Sequence, residues 1–268
     1  MRNIPESMDA TIVEQIDDRL DGVARGHDVV IPWAIESGSR AWGFPSPDSD
    51  YDCRFLYVHH PDEYLSLWPN RDVIETPLDE IFDVNGWDLA KALRLVVKGN
   101  AVISEWLRSP IVYSGDVTFR DSLLTLAEDV SDRVLLTRHY LHVGRNKWPD
   151  DTRDASLKKI FYSLRPAATL LWLRSHPASV LAPMNLHDLL AETEVADAVL
   201  RETAELTALK AVTSEMGRGT VPPAIAAFVI AEFERAEADV DGAELLPRTE
   251  TTARVDEYFR STLRHLYA

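Results

Sequence analysis

The sequence predicts an α+β fold: a small sheet-containing domain over residues 1–120, then an all-helical domain over residues 121–268. Three observations predict it. Apolar residues recur at both helical and strand spacing before about residue 86, and almost only at helical spacing after it. A stretch rich in Gly, Ser and Pro, from Gly38 to Ser49, separates the two clearest strands. Ser109-Pro110 breaks the chain where the pattern changes, which sets the boundary between residues 110 and 130.

Taken in order, Ile12, Val13, Ile16, Leu20 and Val23 repeat at helical spacing, with Gly26 as a stop. Val29–Ile35 reads as a buried strand, although Pro32 lacks the N–H a central strand needs. Gly38–Ser49 is a loop with at most one helical turn, and Tyr51–Val58 is the second strand. Weaker strand signals lie at Asp72–Glu75 and Ile81–Val84. Leu89, Ala92, Leu93, Val96 and Val97 then make an apolar helical stripe ended by Gly99-Asn100. Ser131 is positioned to cap a helix running to Arg145, and another spans Ala155–Ser175, with a kink expected at Pro166. Leu186–Glu192, Ala196–Met216, Pro223–Ala238 and Arg254–Leu266 complete the helices, with a polar loop between Ala238 and Thr251.

Composition limits the classes of function. Of 268 residues 46% are hydrophobic and 27% charged, ordinary for a globular protein. No apolar run approaches the roughly 20 residues that span a bilayer, so no membrane partner is expected. The N-terminal MRNIPESMDA lacks the apolar core of a secretory signal, and the single Cys53 excludes an internal disulfide, so a cytoplasmic address is expected. A net charge of −16 repels nucleic acid on average. Against that background Arg133–Arg165 carries eight basic residues and three acids, a local +5 that leaves −21 elsewhere. A solvated helix face explains such a stretch as well as an anion site does.

The chemistry-bearing segment runs from Gly38-Ser39-Arg40-Ala41-Trp42-Gly43-Phe44 through Ser46-Pro47-Asp48-Ser49 to Asp50-Tyr51-Asp52. Asp50 and Asp52, two apart at the head of a strand, send both carboxylates to one face, while Tyr51, Cys53, Phe55 and Tyr57 take the other. Adjacent carboxylates repel unless they share a cation, and a hard ion such as Mg²⁺ suits oxygen ligands. Two such ions about 4 Å apart activate an attacking hydroxyl and stabilise leaving pyrophosphate; Mn²⁺ is an alternative. Gly38 allows close approach of the backbone to a triphosphate, and Ser39 offers a hydroxyl to phosphate. Arg40 offers a forked contact to the same group.

Gly-Ser, ten residues, then Asp-x-Asp on a strand is similar to the motif of DNA polymerase beta superfamily nucleotidyltransferases. The longer string resembles one branch, the RNA-ligase-associated, RlaP-type predicted nucleotidyltransferases. Gly86-Trp87-Asp88-Leu89, Glu105-Trp106-Leu107 with Ser109-Pro110-Ile111-Val112-Tyr113, and Lys158-Lys159 with Phe161-Tyr162 and Leu164-Arg165-Pro166 resemble it too. The resemblance is legible from about residue 30 to 175. It implies a small mixed-sheet catalytic domain and Mg²⁺-dependent transfer of a nucleotide from an NTP to an acceptor hydroxyl. The branch's genomic company implies RNA end repair, hence an RNA or tRNA acceptor.

The superfamily carries a third acid on a later strand. Asp83, inside Ile81-Phe82-Asp83-Val84, is the first choice, because an acid within a strand is otherwise disfavoured. Asp88 is the alternative third ligand, but Asn85 as a cap with Asp88 in the first helical turn explains it equally. Glu75 ranks third. Lys158 and Arg165 are placed at the nucleotide, on the cleft wall opposite the carboxylates, with Lys159 beside them. His139 and His142 lack a third ligand in register, Cys53 reads as a packing residue, and Trp42, beside the triphosphate site, is a candidate for stacking on a base.

Other readings compete. Within enzymes, the acceptor is alternatively a protein side chain or a small molecule. A nucleotide-binding module without turnover is a second class, and a helical scaffold a third, although a scaffold leaves Gly38–Asp52 unexplained. No residue in the string reads a base, so the NTP stays open, as do the oligomeric state and the role of residues 180–268.

Overall fold

A computed structural model describes residues 1–77, 81–214, 216–245 and 248–268. Helix α1 (Ala10–His27) starts at Asp9, whose carboxylate accepts the N–H groups of Thr11 and Ile12, and buries Val13, Ile16, Leu20 and Val23. Strand β1 (Val29–Glu36), the short helix α2 (Gly38–Trp42) and strand β2 (Tyr51–His59) follow. After a 3₁₀ turn at Pro61–Leu65 come β3 (Val73–Glu75), β4 (Phe82–Asp88), α3 (Leu89–Val97) and α4 (Val102–Leu107). Then come β5 (Val112–Gly115) and α5 (Val117–Val130).

The five strands form one mixed sheet in the order β3-β4-β2-β1-β5. Only β2 and β4 run parallel, and they set Asp52 opposite Asp83. Alternation along β2 sorts the layers. Cys53, Phe55 and Tyr57 pack in one core with the buried residues of α1, while Leu56 and Val58 join Trp33, Leu93, Trp106 and Leu123 in a second core on the other face. Pro32 does not end β1. The β1–β2 register slips between Val30 and Trp33, a bulge that accommodates its missing N–H.

The second half is helical: α6 (Arg133–Arg145), α7 (Leu157–Ser175), α8 (Leu186–Ala191), α9 (Asp197–Val212), α10 (Pro223–Val240) and α11 (Arg248–Leu266). A two-residue ladder pairs β6 (Ala155–Ser156) with β7 (Arg218–Gly219). Helices α6 to α10 supply a third core around Phe161, Leu164, Leu186 and Val229, which also takes in Phe44 from the loop after α2. The last helix returns to the first half. Phe259 meets Tyr64 edge-on at 4.9 Å, and the Tyr267 hydroxyl donates to the Val58 carbonyl at 2.9 Å. No helix among the described residues is long and apolar enough to cross a membrane.

Several sequence expectations need correction. Strand β5 and helices α4 and α5 lie in a region whose periodicity gave no separate elements; β5 is four residues long and exists by pairing with β1. Asn85 is not a helix cap, because β4 continues through it to Asp88 and Asp88 itself caps α3. Ser131 yields to Asp132, whose carboxylate accepts the N–H groups of Val134 and Leu135. Helix α7 contains Pro166 within its span, as the sequence places it.

Candidate active site

The carboxylates gather at the head of β2. Asp50 is exposed just before the strand, and Asp52 is its second residue. Asp83 stands beside Asp52 on β4, and Arg54 lies between them, donating to Asp52 Oδ1 at 3.1 Å and Asp83 Oδ2 at 2.8 Å. The second Asp83 oxygen accepts from the Asn85 amide at 2.5 Å. Burial raises the Asp52 carboxyl above its ordinary range; Asp83 and Asp50 push it the same way, and Arg54 and Arg40 oppose them. Here carboxylates press on one another with only partial relief.

The Gly-Ser turn lies directly against Asp52. Gly38 has φ +60°, and a Cβ there would fall 1.9 Å from Asp52 Oδ2. The Ser37 N–H donates to the Asp52 carbonyl at 2.8 Å, joining α2 to β2. Ser39 and Ser49 hydroxyls meet at 2.8 Å, and Ser49 Oγ also takes the Ser46 N–H. Arg40 turns towards the loop. It donates to the carbonyls of Ser49 at 2.7 Å and Asp50 at 3.2 Å, with its guanidinium 3.9 Å from the Tyr51 ring centre. In this arrangement it fixes the approach to the carboxylates.

The helical half grips α2 from its C-terminal end. The Asn185 amide donates to Ala41 O at 3.4 Å, His187 Nε2 lies 3.1 Å from Gly43 O, and Lys210 Nζ donates to Phe44 O at 2.6 Å. These carbonyls follow one another where a short helix leaves its acceptors unpaired. Trp42 packs edge-on to Tyr162 at 5.9 Å and takes the Arg165 guanidinium 4.8 Å from its ring centre. Trp42 is therefore enclosed by protein groups on the side facing α7.

Lys158 and Arg165 end in different places. Lys158 is half-buried in the first turn of α7 and acts electrostatically on Asp48 and Lys210, so it faces the loop that precedes the carboxylates. Arg165 is buried, paired with Glu105 at 2.6 Å and donating to Met184 O at 2.9 Å. Tyr140 also donates to Glu105, at 3.0 Å. This buried set joins α4 to α6 and α7. An Arg three turns into an apolar helix gave no sign of its partner in sequence.

Asp88 lies elsewhere. It pairs with Tyr57 along the sheet, five residues beyond Asp83, and its oxygens accept from Ala90 N at 2.7 Å and the Tyr64 hydroxyl at 2.7 Å. It is a buried cap. Glu75 is exposed on edge strand β3 with β4 between it and β2, and it pairs with Arg71. His139 is half-buried and His142 contacts Asn146 at 2.9 Å.

Two groups behind the site escaped the sequence reading. Glu36, the last residue of β1, is fully buried; it accepts the Asp52 N–H at 2.9 Å and the Tyr113 hydroxyl at 2.7 Å. Burial lifts its carboxyl to about 7, against the pull of those two donors. Lys210 is also buried, which lowers its ammonium to about 8, helped by Lys158. The only sequence signal for Glu36 was an acid closing an apolar strand, and Lys210 showed none.

Among the described residues no three His, Cys, Asp or Glu side chains form a group that could hold a metal ion. Mg²⁺ is commonly held by one or two carboxylates, with water and substrate phosphates completing its shell, and Asp50 and Asp52 supply that number.

Residues 12–261 match the family model described as the RNA repair pathway DNA polymerase beta family, RlaP, and the chain belongs to that family. The match extends well beyond the span of residues 30 to 175 in which motifs are legible. The chain is also similar to an uncharacterized protein of Bacillus subtilis (strain 168), YcgL. The two are 39% identical over 188 residues, covering 68% of this chain and 72% of that protein. Family membership points to a nucleotidyltransferase-like role.

Proposed function

We propose that the protein transfers a nucleoside monophosphate from an NTP to an acceptor hydroxyl at an RNA end. The observation that supports it most is the contact of Gly38 with Asp52: a side chain at Gly38 would overlap the carboxylate. A phosphate tail lying along the Gly38-Ser39 turn therefore comes against the acidic cluster. Asp50 and Asp52, with Asp83 as the third carboxylate, would hold two Mg²⁺ ions or Mn²⁺ in their place. When bound, the metal supplies charge neutralisation at phosphate oxygens.

The chain's own groups bind and orient. Ser39 and Ser49 offer hydroxyls to the phosphate tail, and Lys158 brings a cation from the helical half. Arg40 holds the Ser49-Asp50 main chain in place, and Arg54 keeps Asp52 and Asp83 close despite their repulsion. In the transfer, the acceptor oxygen bonds to the α-phosphorus, the bond from that phosphorus to the bridging oxygen breaks, pyrophosphate leaves, and the acceptor proton passes to water. Positioning and charge neutralisation carry most of the rate enhancement in such reactions. RNA as acceptor draws support from the family's association with RNA repair and from the local +5 of Arg133–Arg165 in an otherwise acidic chain.

The test is label transfer. The protein is incubated with each α-³²P NTP and Mg²⁺, against total RNA, lysate and protein alone, with D50A/D52A as control. Label in RNA that vanishes in the control is the expected result. Label in a lysate protein instead would replace the acceptor. Absence of both transfer and Mg²⁺-dependent NTP binding would sink the proposal.

A further inference from the structure

The helical half opens a cavity of about 590 Å³, within the range of small-ligand sites. It lies between the segment that follows α6 and the first turns of α7, and Trp148, Tyr162, Lys147, Lys159 and Asn146 line it. Tyr162 ties this cavity to the acidic cluster. Its ring meets Trp42 of α2, the helix that carries Gly38 and Ser39, edge-on at 5.9 Å; burial raises its phenol, and Asp52 and Asp50 push it the same way.

The lining has a specific chemical character. Trp148 and Tyr162 are half-buried aromatic groups, the kind of surface on which a base stacks whatever its identity. Lys147 and Lys159 are exposed, and neither has an ion pair among the described residues. The acids of the rim are largely spoken for: Asp151 pairs with Arg153 at 3.1 Å and Asp154 with Arg218 at 2.9 Å, leaving Asp150. Two free ammonium groups and two aromatic faces match one or two nucleotides. The acidic rim and the net charge of −16 disfavour the dense phosphate rows of a duplex.

We infer that this cavity is the acceptor subsite, where the terminal nucleotide of a single-stranded RNA stacks on Trp148 and Tyr162 while Lys147 and Lys159 hold its phosphates. The inference rests on the transferase reading for the word acceptor, but the binding it asserts is independent of NTP. A strand end seated there directs its hydroxyl past Tyr162 towards Asp50 and Asp52.

The test uses the full chain and a fluorescein-labelled single-stranded decaribonucleotide, followed by anisotropy without NTP or metal. The same strand annealed as a blunt duplex is the comparison. K147E/K159E changes two exposed side chains and should fold as wild type; W148A is the second variant. Single-strand binding should weaken at least about 10-fold in each, and the salt slope of the charge variant should fall by about 1.4, from roughly 0.7 per phosphate contact. A strand ending in 4-thiouridine should photo-crosslink to peptides containing Trp148 or Tyr162. Equal binding by wild type and both variants, no binding by wild type, preference for the duplex, or crosslinks elsewhere would each overturn the inference. NTP titration without RNA runs in parallel: failure there with RNA binding intact removes the transferase reading and leaves this site standing.

Discussion

Lys210 Nζ donates to the carbonyl oxygen of Phe44 at 2.6 Å, joining a buried lysine of α9 to the residue that follows the Gly38–Gly43 turn. The ammonium also lies 4.6 Å from the Phe44 ring centre and 5.3 Å from that of Phe161. A buried cation with one oxygen partner and two aromatic faces is costly to desolvate, so its value to the fold is small while its hold on the loop is specific. We expect K210M to keep or raise the Tm, because Met fills similar space without a charge. NTP affinity, read by calorimetry, should nevertheless fall about 10-fold as the loop loosens. A variant whose Tm drops while its affinity is unchanged would show Lys210 to be a fold residue alone.

Gly38 admits no side chain. Besides the clash with Asp52, its φ of +60° is unfavourable for other residues. G38A should fold, since the strain is confined to one short buried turn, but it must displace either Asp52 or α2. Transfer activity should fall by at least about 100-fold, the scale of an ångström-sized misplacement. Circular dichroism checks the fold and label transfer the activity.

Asp83 and Asp88 should separate cleanly. D88A removes a cap and leaves the Tyr64 hydroxyl without its acceptor, so stability should fall by about 1–3 kcal/mol in urea unfolding. Residual folded D88A should retain transfer activity. D83A should do the reverse, abolishing transfer with a smaller effect on the fold. Loss of activity in D88A at full folding would reinstate Asp88 as a ligand.

Glu36 sets a pH dependence. Its carboxyl sits at about 7 in the fold, against 4.5 ordinarily, so the folded state holds the proton more tightly. Stability from this group is therefore greatest below 4.5, declines as pH rises towards 7, and levels off above it. Between pH 5 and pH 8 wild type should lose on the order of 2 kcal/mol that E36Q does not lose, measured by urea unfolding at both values. Parallel pH profiles for the two proteins would refute this.

The C-terminal grip also predicts a double-variant effect. N185A and H187A each remove a side chain contacting α2, at Ala41 and Gly43 respectively. Because both act on one short helix, their effects on NTP affinity should be non-additive, with a coupling of about 0.5 kcal/mol or more.

Sequence alone determined the order of the site and the character of both halves. Gly38-Ser39 and Asp50-Tyr51-Asp52 lie within fifteen residues of chain, and a strand's two-residue period leads to the expectation that Asp50 and Asp52 share a face, although β2 begins only at Tyr51. Helices with long apolar stripes, such as Ala10–His27 and Pro223–Val240, were legible for the same reason: their period is local. Only the tertiary structure decided which later acid joins them, since the β2–β4 register, set by side-chain packing, puts Asp83 at Asp52 and carries Asp88 to the far end. It also decided that Arg165 faces Glu105, and that Glu36 reaches Asp52 and Lys210 reaches Phe44 from 16 and 166 residues away. Such pairings depend on burial and on distances across the chain. A charged residue in an apolar segment shows that a partner must exist, and only the packed fold shows which one.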